Sequence, residues 1–180
     1  MKIYSRHGDD GTTGLLFGGR VLKSAEPIEV NGAVDEAQAS LGWARAVAGP
    51  EHAFADLTIH LERDLWVLMA EVATLPENRE KLTPDATLVT NAMVDALEAN
   101  IDRLSADIEI PRDFVVPGEN QIAAAYDVAR TVIRRAERIA TQYPLPDSLV
   151  VPYLNRLSDL VWTMARWAEG PTHRVTRSVQ

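Results

Sequence analysis

Arg130, Arg134 and Arg138 recur at every fourth position, with Glu137 among them. At helical spacing they share one face. Like charges so placed repel by a few tenths of a kcal/mol per pair on an isolated helix, so the stack needs a reason. One reason is a solvated face with partners on neighbouring helices. The other is a polyanion, because guanidinium groups match phosphate oxygens two at a time. A second stripe, Asn155, Asp159, Trp162 and Arg166, falls at spacings of four, three and four among leucines. Buried without partners, such polar groups would be expensive. Either Asp159 pairs with an arginine of the neighbouring helix, or the two helices flank a ligand pocket. The third feature is a glycine-rich start, Gly8-Asp9-Asp10-Gly11-Thr12-Thr13-Gly14. Glycines let backbone N–H groups approach phosphate closely. The Gly-x-x-x-x-Gly-Lys-Ser/Thr loop is absent, however, and no βαβ pattern surrounds the segment. Composition alone therefore favours a plain loop there.

The elements that must position these stripes are helical. Residues 1–31 hold five of the ten glycines and little periodicity, which predicts a loop with a short strand at Lys2–Ser5. Val34, Ala37, Leu41, Ala44 and Val47 then form a helical stripe that ends near Gly49-Pro50. Leu57, Leu61, Leu65, Leu68, Val72 and Leu75 form a second, ended by Pro76. Thr83-Pro84 is expected to open a third, along Val89, Met93, Leu97, Ile101 and Leu104, since proline is tolerated in a first turn. A connector with Pro111, Pro117 and Gly118 leads to a fourth helix over Asn120–Gln142. Pro144 and Pro146 separate it from a fifth over Val150–Glu169. The reading is one all-α domain: loop 1–31, five-helix bundle 32–170 and a loose tail 171–180.

Composition narrows the function. The 180 residues contain no cysteine, which excludes a thiolate zinc site, a disulfide scaffold and a cysteine nucleophile. Net charge is −8 and the isoelectric point is near 5.0. Residues 31–110 carry five bases against fifteen acids. This balance argues against general nucleic-acid or anionic-membrane binding but leaves room for a small anion on local arginines. No basic start precedes an apolar run, and no apolar stretch reaches the roughly 20 residues that span a bilayer. The expectation is a soluble, cytoplasmic protein. A di-iron bundle is excluded by its residues, since none of His7, His52, His60 and His173 completes a Glu-x-x-His pair.

Three segments resemble the PduO-type ATP:corrinoid adenosyltransferases. The N-terminal one is Ser5-Arg6-His7-Gly8-Asp9-Asp10-Gly11-Thr12-Thr13-Gly14-Leu15, with Gly19-Arg20-Val21-Leu22-Lys23 and Val34-Asp35-Glu36. The central one is Val116-Pro117-Gly118 followed by Val128-Ala129-Arg130-Thr131-Val132-Ile133-Arg134-Arg135-Ala136-Glu137-Arg138. The last is Pro152-Tyr153-Leu154-Asn155-Arg156-Leu157-Ser158-Asp159-Leu160. They stand in the family's order over nearly the whole chain.

The resemblance implies a homotrimer of five-helix bundles with each active site between two subunits. It implies transfer of the 5′-deoxyadenosyl group of ATP to a reduced corrinoid, giving adenosylcobalamin and triphosphate. The implied ligands are ATP, magnesium and cobalamin. Nucleotide would be bound by Ser5, Arg6, Gly8, Asp9, Gly11, Thr12, Thr13, Gly14, Lys23, Arg134, Glu137, Arg138 and Asn155. Glu137 is the one protein side chain suggested for magnesium. Asp159 would hold the arginines in place, and Arg130 would pair with Asp35 across the subunit interface. Phe114 would displace the lower ligand of cobalt(II), with Val116 and Trp162 beside the corrin. Phe114, Arg134, Asp159 and Lys23 would carry catalysis. A flavoprotein reductase and an adenosylcobalamin-dependent acceptor enzyme are the implied protein partners.

The chain departs from the family pattern at four places. Pro27 stands where an arginine is expected, Glu119 replaces a glycine, Asp127 replaces a histidine, and Val161-Trp162 replaces an aromatic pair. Pro27 removes a positive charge near the phosphates, and Glu119 adds a negative one near the corrin loop. These changes support an alternative, a catalytically weak family member that binds adenosylcobalamin or ATP for delivery or regulation.

Overall fold

The computed structural model describes residues 2–4, 6–172 and 174–176. Five helices dominate it: α1 (Glu26–Ala48), α2 (Ala55–Val72), α3 (Asn91–Ser105), α4 (Gln121–Ala140) and α5 (Val150–Glu169). Two small antiparallel sheets join them: β1 (Thr12–Gly14) with β2 (Arg20–Leu22), and β3 (Val115–Val116) with β4 (Arg174–Val175). Among the described residues no helix is long and apolar enough to cross a membrane.

The apolar stripes become the core. Val34, Ala37, Leu41 and Ala44 of α1 are buried, as are Leu61, Leu65, Leu68 and Val72 of α2. Helix α1 packs on α2 and α4, while α5 packs on α4 and α3. The buried face of α4 is largely alanine, at 123, 125, 129, 136 and 140. Small side chains let α5 approach closely, so the two polar stripes lie on neighbouring helices. Asn120 fixes the start of α4: its Oδ1 accepts from Ala123 N (2.9 Å), and its Nδ2 donates to the Ala168 carbonyl near the end of α5 (2.8 Å). Tyr153 Oη donates to Asp64 Oδ2 (2.9 Å), tying the start of α5 to α2. Burial pushes the Asp64 carboxyl above the usual aspartate range, opposed by that hydrogen bond.

Four boundaries differ from the sequence reading. The N-terminal strands fall at Thr12–Gly14 and Arg20–Leu22, in the register Thr12↔Leu22, and Lys2–Tyr4 is not a strand. Helix α1 begins at Glu26, inside the segment read as loop, because Pro27 in the first turn starts a helix and Glu26 and Glu29 complement its dipole. Helix α3 begins at Asn91. Its cap is Thr90, whose hydroxyl accepts from Met93 N (3.3 Å). Thr83 instead closes a turn, its carbonyl accepting from the amides of Ala86, Thr87 and Leu88. Lastly, Arg174 and Val175 pair with Val116 and Val115, so that part of the expected loose tail is a strand.

Candidate active site

The glycine-rich start folds into a cradle organised by Arg20. Its Nη2 donates to the His7 carbonyl (2.7 Å) and its Nε to Thr12 Oγ1 (3.0 Å), and it lies 3.7 Å from Asp10. Asp10 Oδ1 accepts from the Thr12 amide (2.9 Å) and hydroxyl (2.8 Å), and these bonds lower its pKa. The Asp9 and Gly11 amides bond to the Arg6 and Gly8 carbonyls (3.3 and 3.2 Å). Several backbone donors expected to face phosphate are therefore engaged within the loop. The cationic Lys23 Nζ remains exposed and lies against Gly8: a Cβ there would meet it at 3.1 Å. Gly11 has φ +81°, the left-handed region that favours glycine. Arg6 lies over the Tyr4 ring, 5.6 Å from its centroid. Thr13 pairs with Val21 across the hairpin, and Gly14 with Arg20. Ser5 lies outside the described residues. The hairpin docks on the end of α2, where Leu16 N donates to the Ala73 carbonyl (2.9 Å).

On α4, Arg134 is exposed and has no ion-pair partner among the described residues. Arg138 is also exposed, and its Nη1 donates back to the Arg134 carbonyl (3.0 Å). Glu137 Oε1 accepts from Asn155 Nδ2 (2.8 Å), so the two polar stripes meet there. Asn155 Oδ1 accepts in turn from Arg156 Nη1 (2.6 Å), and Arg156 pairs with Glu98 of α3 (2.7 Å). Asp159 makes no ion pair among the described residues. Partial burial raises its pKa, opposed by the positive charges of Arg156 and Arg134. The expected direct pairing of Asp159 with an arginine of α4 is thus not present within the chain. Arg135 pairs with Glu36 of α1. Asp35 is exposed one residue earlier on α1 and has no ion-pair partner among the described residues.

Beyond the arginine face lies a cleft of about 510 Å³, lined by Phe114, Val115, Asp127, Arg130, Trp162 and Arg166, among others. Phe114 is 87% exposed, and its carbonyl accepts from Thr176 N (2.7 Å) beside the β3–β4 pair. Val116 is not in the lining. Of the two β3 residues, Val115 is the one that lines the cleft. Glu119 pairs with Arg174 (3.2 Å), so its charge is matched by the C-terminal strand. Arg130 Nε lies 3.3 Å from Asp127 Oδ1 within the chain. Behind it, Arg166 is buried between Asp127 and Glu169.

Sequence reasoning assigned no role to Arg20, Arg166 or Glu169. Arg20 stood inside the N-terminal motif, and Arg166 ended the second stripe, so both had a signal. Glu169 had none, because its importance comes from burial beside Arg166. Among the described residues no group of three His, Cys, Asp or Glu side chains could hold a metal ion.

Residues 3–168 match the family described as cobalamin adenosyltransferase. The chain is 36% identical over 172 residues to the corrinoid adenosyltransferase of Mycobacterium bovis, covering 93% of this chain and 88% of that one. It is 35% identical over 178 residues to the corrinoid adenosyltransferase PduO of Salmonella typhimurium, covering 97% of this chain. It spans about half of that relative's length, 52%. In three dimensions it is similar to a phenylalanine-to-histidine variant of the PduO-type ATP:corrinoid adenosyltransferase of Lactobacillus reuteri, complexed with cobalamin and ATP. The TM-score is 0.87 at 26% identity, over 98% of this chain and 97% of that one.

Proposed function

The chain belongs to the cobalamin adenosyltransferase family, and on that premise we propose that it transfers the 5′-deoxyadenosyl group of ATP to the cobalt of a reduced corrinoid. The electron pair of cobalt(I) forms the cobalt–carbon bond while the C5′–oxygen bond breaks and triphosphate leaves with its electrons. The substrate itself supplies the nucleophile, so the protein needs no serine, cysteine or general base. What it must supply is positive charge for the leaving triphosphate. The observation that carries the reading is Arg134: an exposed guanidinium without an ion-pair partner among the described residues, on the helix that also borders an aromatic-walled cleft.

Arg134, Arg138 and Lys23 hold the triphosphate, and Asn155 and Glu137 orient the nucleotide beside them. Arg6 and the Gly8–Gly14 segment close the cradle. Magnesium would enter with the phosphates, and Glu137 is the acidic side chain proposed to meet it. The cradle sits at the end of α2 and the arginine face on α4. A homotrimer in which one subunit's cradle covers the next subunit's arginine face brings them together. In that assembly Asp35 of the partner subunit faces Arg130, and Asp159 tunes the arginines through its charge.

Phe114 offers its exposed ring to the lower face of the corrin, with Trp162 and Val115 as walls. Burying a phenyl ring contributes about 1.5–3 kcal/mol, enough to compete with a lower ligand on cobalt(II). A cytoplasmic flavoprotein supplies the electron, and an adenosylcobalamin-dependent enzyme receives the product. The delivery-protein alternative is weaker at Glu119, whose charge is paired with Arg174; Pro27, in the first turn of α1, still leaves the expected positive charge missing. Incubation with ATP and chemically reduced cobalamin tests the function: adenosylcobalamin and triphosphate are expected in equal amounts. Binding of both ligands without either product would overturn it.

A further inference from the structure

We propose that Asp127 is a positioning residue for the corrin cleft, acting through Arg166 to hold the indole of Trp162 in place. The inference rests on the adenosyltransferase reading for the identity of the cleft's occupant. Asp127 is 3% exposed and Arg166 is 4% exposed. Arg166 Nη2 lies 2.5 Å from Asp127 Oδ2, and its Nε lies 2.8 Å from Glu169 Oε2. One nitrogen, Nη2, donates both to Asp127 Oδ2 of α4 (2.5 Å) and to Glu169 Oε1 of the next turn of α5 (3.3 Å), so the guanidinium is tied to carboxylates of two helices. Its carbon lies 5.7 Å from the centroid of the Trp162 ring, within cation–π range.

A buried guanidinium keeps one orientation only when its donors and its charge are matched. Asp127 does this for two cations at once, because its Oδ1 lies 3.3 Å from Arg130 Nε. With Glu169, the four charges cancel. An amide at position 127 would leave Arg166 with Glu169 alone, and its plane would no longer be fixed against the indole. Trp162, a partly exposed side chain on the cleft wall, would then lose the contact that sets its angle.

Equilibrium titration with cob(II)alamin in the presence of ATP tests this without relying on turnover. Asp127→Asn is expected to weaken cob(II)alamin binding about five- to tenfold while ATP binding stays within about twofold. In a Trp162→Ala background the same change is expected to have less than about a twofold effect, because the indole through which it acts is gone. A purely structural role would reduce binding equally in both backgrounds. If Asp127→Asn loses its helical circular dichroism, Arg166→Lys carries the same test, since lysine keeps the charge but not the planar fork. Wild-type binding by Asp127→Asn, or independent effects of the two substitutions, would overturn the proposal. Corrinoid binding without adenosyl transfer by the unaltered protein would refute the transfer step alone. Failure of the unaltered protein to bind cob(II)alamin would refute both.

Discussion

The arginine face of α4 and the cleft behind it are built from the same residue type in opposite ways. In the cleft, Arg130 and Arg166 are neutralised within the chain by Asp127 and Glu169. On the face, Arg134 is exposed and no carboxylate among the described residues pairs with it. A paired, buried guanidinium is preorganised and fixes shape. An unpaired, exposed one keeps its charge available for an anion that arrives later. The cleft is thus largely complete in one chain, whereas in the proposed assembly the arginine face is completed by a second subunit.

The sharpest way to break this contrast is to remove the free charge. Arg134→Ala should lower adenosyl transfer at least about tenfold, as expected for losing charge-assisted bonds of roughly 1.5–3 kcal/mol. Circular dichroism should show unchanged helix content, because Arg134 is exposed. Near-normal transfer would mean that the exposed arginine is only a solvated side chain.

Phe114→Ala probes the other region. It should leave ATP affinity alone and reduce transfer about tenfold when the reaction starts from cobalt(II) and a reductant, as expected from losing a buried ring. The loss should be much smaller when cobalt(I) is supplied already reduced. Equal losses in both assays would show that Phe114 only shapes the loop.

Asp35→Asn tests whether the two regions communicate between subunits. Arg130 already has Asp127 within its own chain, so the expected cost is a few-fold in ATP affinity, in line with a partly exposed ion pair. Light scattering should still report a trimer for the unaltered protein. A monomer at working concentrations would contradict the shared site.

The smallest effect is expected from Glu119→Gln. Its charge is paired with Arg174, and exposed pairs contribute only about 0–1 kcal/mol. Transfer should change by less than about threefold. A large gain in activity would mean that this carboxylate, despite its partner, repels the corrinoid.

The helices were legible in the sequence because their stripes are one-dimensional signals. Leu61, Leu65, Leu68 and Val72 follow helical spacing and are buried on one face. The meeting of Glu137 with Asn155 was likewise foreshadowed by two polar stripes on consecutive helices. What failed to show was whatever depends on tertiary pairing. Arg174 and Val175 carry no strand pattern of their own, and they become a strand because Val115 and Val116 are there to pair with. The buried Asp127–Arg166–Glu169 group joins α4 to the end of α5, and no spacing along the chain announces it. Helix α1 starts at Glu26, ahead of the apolar stripe that opens at Val34, because Pro27 is a favourable first-turn residue and the glycine-rich composition of residues 1–31 masks it.

The shared anion site is tested most directly by mixing two inactive proteins. Lys23→Ala damages only the cradle, and Arg134→Ala damages only the face of α4. If one subunit's cradle serves its neighbour's arginines, random mixed trimers unfolded and reassembled from equal amounts contain some sites built from two intact halves. Adenosyl transfer should then return to about a quarter of the wild-type rate, the statistical share of such sites in a closed ring. Activity no higher than that of the separate variants would place cradle and arginines in the same chain and contradict the account.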